Sequence, residues 1–271
     1  MPWRYRTGAD LEASWPLRWE HRLSRVALAL EAPRALPQGI HLKRTVVRLP
    51  DARKPWVGTV APEAASAASE PVRLVVVGDS TAVGCGVTDF ADSLPGRMAH
   101  HLAAHTNRAV EYRAIGENGA RTDEFIRDYL ADAVTHLADL IYVTLGANDT
   151  LAFRSRTAVA RDLLRIVTTL RAANPTAHIE VSCLPAFYRF ALLPEPLRSG
   201  LYRHSQAIER TARPLVNALD RASMNRPPSP YGEGFFASDL FHPSAVGYER
   251  WAHAAVAEMR ERGVISALSA P

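Results

Sequence analysis

The chain has 271 residues, 47% of them hydrophobic, and a formal net charge of +4. That suits one ordinary domain with an appendage and excludes a chain too polar to fold. Residues 1–70 hold 11 Lys/Arg against 7 Asp/Glu and so carry the whole excess, which leaves no basic working face of the kind a nucleic-acid enzyme shows.

Near the N-terminus, Trp15, Trp19, Leu23, Val26 and Leu30 recur at helical steps, with Pro16 tolerable in the first turn. The expectation is a helix docked on the main domain. The alternative is a peripheral membrane contact, with Arg18, Arg22 and Arg25 off the apolar stripe. The small-residue stretch 62–70 reads as a linker. It divides an extension (1–70) from a main domain (71–265) and a short tail (266–271).

From residue 71 strands and helices alternate. Val72–Val77 is an apolar run suited to a strand buried on both faces. A helix over 93–105 and a strand at Val110–Ile115 follow. A second helix begins near Thr122, whose hydroxyl can cap it. Leu140–Leu145 and Ile179–Cys183 are further strands, separated by a helix over 157–173. Residues 197–221 read as helix that Pro214 should kink or interrupt, and 244–261 as the last helix. Such alternation predicts a parallel sheet with helices on both faces.

Three chemical groups lie at the ends of successive strands, where open parallel sheets bind ligands. Ser80 follows the first, Gly119 the second and Asn148 the third. A serine hydroxyl needs a base. His242 supplies one, and Asp239 stands three residues before it, within reach of the imidazole Nδ1–H. The Ser80 and Gly119 backbone N–H groups and the Asn148 amide are oxyanion donors. Together they form the equipment for hydrolysing an ester without a metal or cofactor. Gly78-Asp79-Ser80-Thr81-Ala82 also nearly fits a Gly-x-Ser-x-Gly elbow, but that arrangement usually places several strands before the serine.

These four blocks, with Asp239, resemble the SGNH (GDSL-type) hydrolases over roughly residues 72–258. The resemblance implies an α/β fold, a three-layer α/β/α sandwich with a central parallel sheet of flavodoxin-like topology. It implies a serine esterase or lipase with Ser80, Asp239 and His242 as the triad, and Ser80, Gly119 and Asn148 as the oxyanion hole. Thr81 replaces the aliphatic residue common after the serine, and Asn118 stands where a serine often precedes the glycine. Lysophospholipase, thioesterase, carbohydrate O-deacetylase and acyltransferase chemistry use the same kind of site, and a catalytically silent binding module is the remote alternative.

Asp79, Thr81, Arg121, Phe187 and Tyr188 are candidate substrate contacts, with the loop beyond the fourth strand expected to wall an acyl pocket. Cys85 is a candidate pocket residue. His101 and His105 stand at i, i+4 on a predicted helix that also holds His100, a spacing that can bind zinc, but no third ligand is evident, so no metal is expected. The expected partner is a small acyl ester, with no nucleic acid. No uncharged apolar stretch approaches the ~18 residues of a membrane span, and Met1–Arg6 lacks a signal-peptide core. Cys85 and Cys183 lie far apart in sequence and form no metal-like cluster, so reduced thiols in a cytoplasmic enzyme are expected.

Overall fold

A computed structural model describes residues 17–45, 47, 49–62, 70–226 and 231–269. Its elements run in chain order as α1 (Leu17–Thr45), β1 (Val57–Val60), β2 (Val72–Gly78), α2 (Leu94–Thr106), β3 (Val110–Gly116), α3 (Thr122–Asp128), α4 (Leu130–Ala133) and β4 (Leu140–Thr144). They continue as α5 (Ala147–Leu151), α6 (Arg156–Ala173), β5 (His178–Val181), α7 (Leu197–Asn217), β6 (Ala222–Met224), α8 (Ala245–Glu261) and α9 (Val264–Ser269).

The six strands form one sheet in the order β1-β3-β2-β4-β5-β6, parallel except for β1, which pairs antiparallel to β3 at the edge. β2 and β4 are buried on both faces because every crossover lays a helix against the sheet. In β2, Leu74 and Val76 face one core with Met98, Leu102, Tyr142 and Tyr248. Val75 and Val77 face the other, with Phe125, Leu163, Ile166 and Ile208. Helices α2, α8 and α9 thus form one outer layer and α3, α4, α6 and α7 the other, giving the three-layer α/β/α sandwich.

Several expectations change in detail. The sheet takes a strand from before residue 71, since Val57–Val60 pairs with Val110–Arg113. The helix expected from Thr122 is broken at Tyr129, whose φ is −124°. Helix α7 runs through Pro214 and stops at Asn217, so the proline does not interrupt it.

The N-terminal helix exists, but the expected stripe is not its docked face. Trp15 lies outside the described residues, as do the side chains of Trp19 and Leu23, while Val26 and Leu30 are exposed. The docked face lies further along. Ala35 and Leu42 pack into a third cluster with Phe187, Phe190, Leu193 and Leu201, Glu31 pairs with Arg203 of α7 at 2.5 Å, and Gln38 donates to the Glu195 carbonyl at 2.7 Å. Among the described residues, no helix is long and apolar enough to cross a membrane.

Candidate active site

The ends of β2 and β3 are brought together by glycines. A Cβ on Gly78 would lie 2.0 Å from the Thr144 hydroxyl, and one on Gly116, at φ +146°, would lie 1.9 Å from the Gly78 carbonyl oxygen. No other residue fits either position, so Gly116 is more than an ordinary turn glycine. This close approach places the turn after β2 beside the loop after β3.

Ser80 opens that turn. Its Oγ lies 3.1 Å from His242 Nε2, and His242 Nδ1 lies 2.6 Å from Asp239 Oδ2. The other Asp239 oxygen accepts the backbone N–H groups of Phe241 and His242, each at 3.0 Å. One carboxylate therefore shapes the turn and orients the imidazole. Leu240 completes that turn at φ +57°, a strained conformation for a branched residue that the surrounding bonds hold in place. Ser244 anchors the exit by capping α8, its Oγ accepting from the Gly247 N–H at 3.2 Å.

Electrostatics at the pair follow from this packing. Burial works against a charged His242, but the bond and charge of Asp239, together with Cys85, outweigh it and raise the imidazole above its ordinary range. Burial likewise disfavours ionised Asp239, yet the His242 bond and two backbone donors bring its pKa below the usual value. Cys85 is fully buried and interacts with the histidine. Its carbonyl accepts from the Tyr248 hydroxyl at 2.7 Å, and its Sγ accepts from Asn118 Nδ2 at 3.5 Å.

Among the described residues, neither the Ser80 N–H nor the Gly119 N–H has an acceptor. Gly119 has φ +89°, and a Cβ there would meet nothing within 4 Å. Its glycine answers to backbone conformation and not to crowding. Asn148 sits in the first turn of α5, entered through Gly146 at φ +113°. Its Nδ2 donates to Asp79 Oδ2 and to the Ala120 carbonyl, both at 3.2 Å.

The candidate substrate contacts fare differently. Asp79 is 3% exposed, and accepts from Thr81 N at 3.1 Å and Thr81 Oγ1 at 2.9 Å. Burial raises its pKa to about 6 against those bonds. Asp79 and Thr81 thus brace the turn that carries Ser80, and Asp79 also holds Asn148. Arg121 pairs with Asp123 and Glu124 on the surface. Phe187 is fully buried and so presents no surface to a substrate. Tyr188 packs edge-on against Tyr202, with ring centroids 4.7 Å apart. The loop still reaches the site by relay: Phe187 packs on Phe190, Phe190 on Phe241, and Phe241 on the His242 ring, at centroid distances of 5.3, 5.3 and 5.2 Å.

A buried brace lies beside the site. Asp149 accepts the Thr122 N–H at 3.0 Å, the Thr122 hydroxyl at 2.7 Å and Arg154 Nη1 at 2.6 Å. Arg154 also reaches Asp162 at 2.9 Å. The Thr122 hydroxyl is therefore committed to Asp149 and does not cap α3, which Arg121 precedes as cap residue. The network ties the loop carrying Gly119 to the helix carrying Asn148. A carboxylate directly after Asn148, in the short helix that follows β4, is its only sequence signal. His101, on α2, pairs with Glu249 at 2.8 Å and stacks on His253. Among the described residues, no group of three His, Cys, Asp or Glu side chains could hold a metal ion.

The sequence pattern of the GDSL-like lipase/acylhydrolase family matches residues 76–250, spanning every block of this site. The chain belongs to that family. A GDSL-like esterase of Mycobacterium tuberculosis is 28% identical over 190 residues, which cover 65% of this chain and 58% of that relative. The match thus spans little more than half of the relative's length. Solved structures of the same fold include a lipase from a goat rumen metagenome, at TM-score 0.55 and 14% identity, covering 69% of this chain and 96% of that one. TesA aligns at TM-score 0.54 and 17% identity, covering 70% and 98%. A Clostridium thermocellum family 3 carbohydrate esterase aligns at TM-score 0.55 and 14% identity, covering 74% and 100%. Family membership fits a site whose serine follows the first parallel strand and whose aspartate and histidine share one turn.

Proposed function

We propose that this protein hydrolyses carboxylic esters through an acyl-serine intermediate on Ser80. The observation that carries the reading is the line of contacts from Ser80 Oγ through His242 to Asp239, at 3.1 and 2.6 Å. The Ser80 oxygen attacks the ester carbonyl as its proton passes to His242 Nε2. Asp239 holds the Nδ1 proton and stabilises the imidazolium. The tetrahedral oxyanion takes the free N–H groups of Ser80 and Gly119, each worth ~3 kcal/mol in such sites. Asn148 completes the set by exchanging one of its two 3.2 Å contacts for the oxyanion. His242 then returns the proton to the leaving alcohol, the ester C–O bond breaks, and water releases the acid by the same steps in reverse.

The test is hydrolysis of short p-nitrophenyl esters and acetylated sugars by the wild type and by Ser80→Ala. The reading expects the wild type alone to turn over, with a loss on the order of 10⁴-fold or more in the variant. Equal rates in the two proteins would remove Ser80 from the mechanism.

A further inference from the structure

Helix α1 has two apolar faces, and only one is covered. Ala35 and Leu42 face the body of the protein. At 3.6 residues per turn, Val26, Leu30, Pro33, Pro37 and Ile40 fall on the opposite flank, with Leu36 at its edge. Val26, Leu30, Leu36 and Ile40 are 52%, 78%, 57% and 50% exposed. This is a continuous stripe and not the scattered exposure normal for a surface.

Charge indicates what the stripe meets. Residues 17–45 contain six Lys/Arg and two Asp/Glu, a net +4 equal to that of the whole chain. One of the two acids, Glu31, is turned inward onto Arg203. Arg34 and Arg44 are exposed beside or on the stripe. A second copy docked on the same face would bring like charges together, whereas an anionic surface would neutralise them.

We propose that the outer face of α1 docks this protein on anionic lipid bilayers. Its aliphatic side chains enter the headgroup boundary, while the arginines extend along it to the phosphates. The inner face of the same helix belongs to the cluster that includes Phe241, next to His242. The docked helix thus joins a bilayer surface to the catalytic side of the protein.

Co-sedimentation of the full chain with vesicles tests this. Equimolar phosphatidylcholine–phosphatidylglycerol vesicles should pellet the wild type, and phosphatidylcholine vesicles alone should not. Salt at about 1 M should weaken the binding by screening its electrostatic part. Leu30→Glu/Ile40→Glu and Arg34→Glu/Arg44→Glu should each lose at least about tenfold in apparent affinity. Because these side chains lie on the exposed flank, both variants should keep the wild-type melting temperature and rate on soluble esters. The melting temperature serves as the folding control even if the esterase reading fails. Wild type left in the supernatant with anionic vesicles would overturn the proposal, as would unaltered sedimentation of both variants. Light scattering that shows a wild-type dimer and monomeric variants would assign the stripe to a second copy instead.

Discussion

His242 is set by its neighbours more than by its own chemistry. In the proposed mechanism neutral imidazole accepts the serine proton, so a raised pKa makes kcat/KM climb with pH and places its acid limb above the ordinary histidine value. Asp239→Asn removes the largest influence raising that pKa. The acid limb should then move to lower pH while the plateau rate falls about 10²–10⁴-fold. A pH–rate profile of the two proteins checks this; an unmoved limb would show that Asp239 does not tune the base. The same pair acts on stability. The contribution of His242 is full below the unfolded value of 6.5 and is lost as pH rises through its higher folded pKa, whereas that of Asp239 is present above 3.8 and lost as pH falls through its lower folded value.

Asp79 works in the opposite sense to Asp239. Its pKa rises from 3.8 to about 6 on folding, so the folded protein holds this proton more tightly and stability falls as pH rises across that window. Asp79→Asn removes that slope, which runs against that of Asp239 and with that of His242. Relative to wild type, the variant should gain up to about 3 kcal/mol between pH 4 and pH 7. Thermal melts at the two pH values measure it, and an identical difference at both would contradict a buried, proton-hungry Asp79.

At the scale of elements, the loop after β3 and the start of α5 act as one unit because Asp149 joins them. Asn148→Ala should lower kcat about 10²–10³-fold, with a smaller loss of stability from the Asp79 contact it gives up. Asp149→Ala should lower kcat as well, but also cost about 3 kcal/mol of stability by leaving Arg154 and the Thr122 N–H without their buried partner. Parallel kinetics and melts separate the two effects. If Asp149→Ala leaves both stability and kcat unchanged, the brace has no function.

The strands that position the site are legible because β2 and β4 are apolar runs and β3 alternates apolar with charged residues before closing on Ala114-Ile115-Gly116. β1 is not, since Val57–Val60 is a short edge strand with only alternate residues partly covered. β6 is hidden for a related reason: three residues hold no period. Ser80, Asp239 and His242 are readable because acid and base lie three residues apart and the serine follows a strand. Asp149, Thr122 and Arg154 are not, because their partnership exists only once two loops meet. Aromatic residues beyond a strand suggest a pocket wall, but the fold buries Phe187 against Phe190.

Across the whole molecule, a parallel sheet converges three strand ends on one crevice, two helical layers seal its faces, and α1 packs on α7 with an uncovered outer flank. The central claim is that this architecture makes Ser80 a nucleophile. The direct measurement is reaction of the native protein with a fluorophosphonate, followed by peptide mass spectrometry. A single adduct on Ser80, abolished in Ser80→Ala and strongly slowed in His242→Ala, is the predicted result. An adduct on another residue, or none from a protein that still hydrolyses esters, would contradict it.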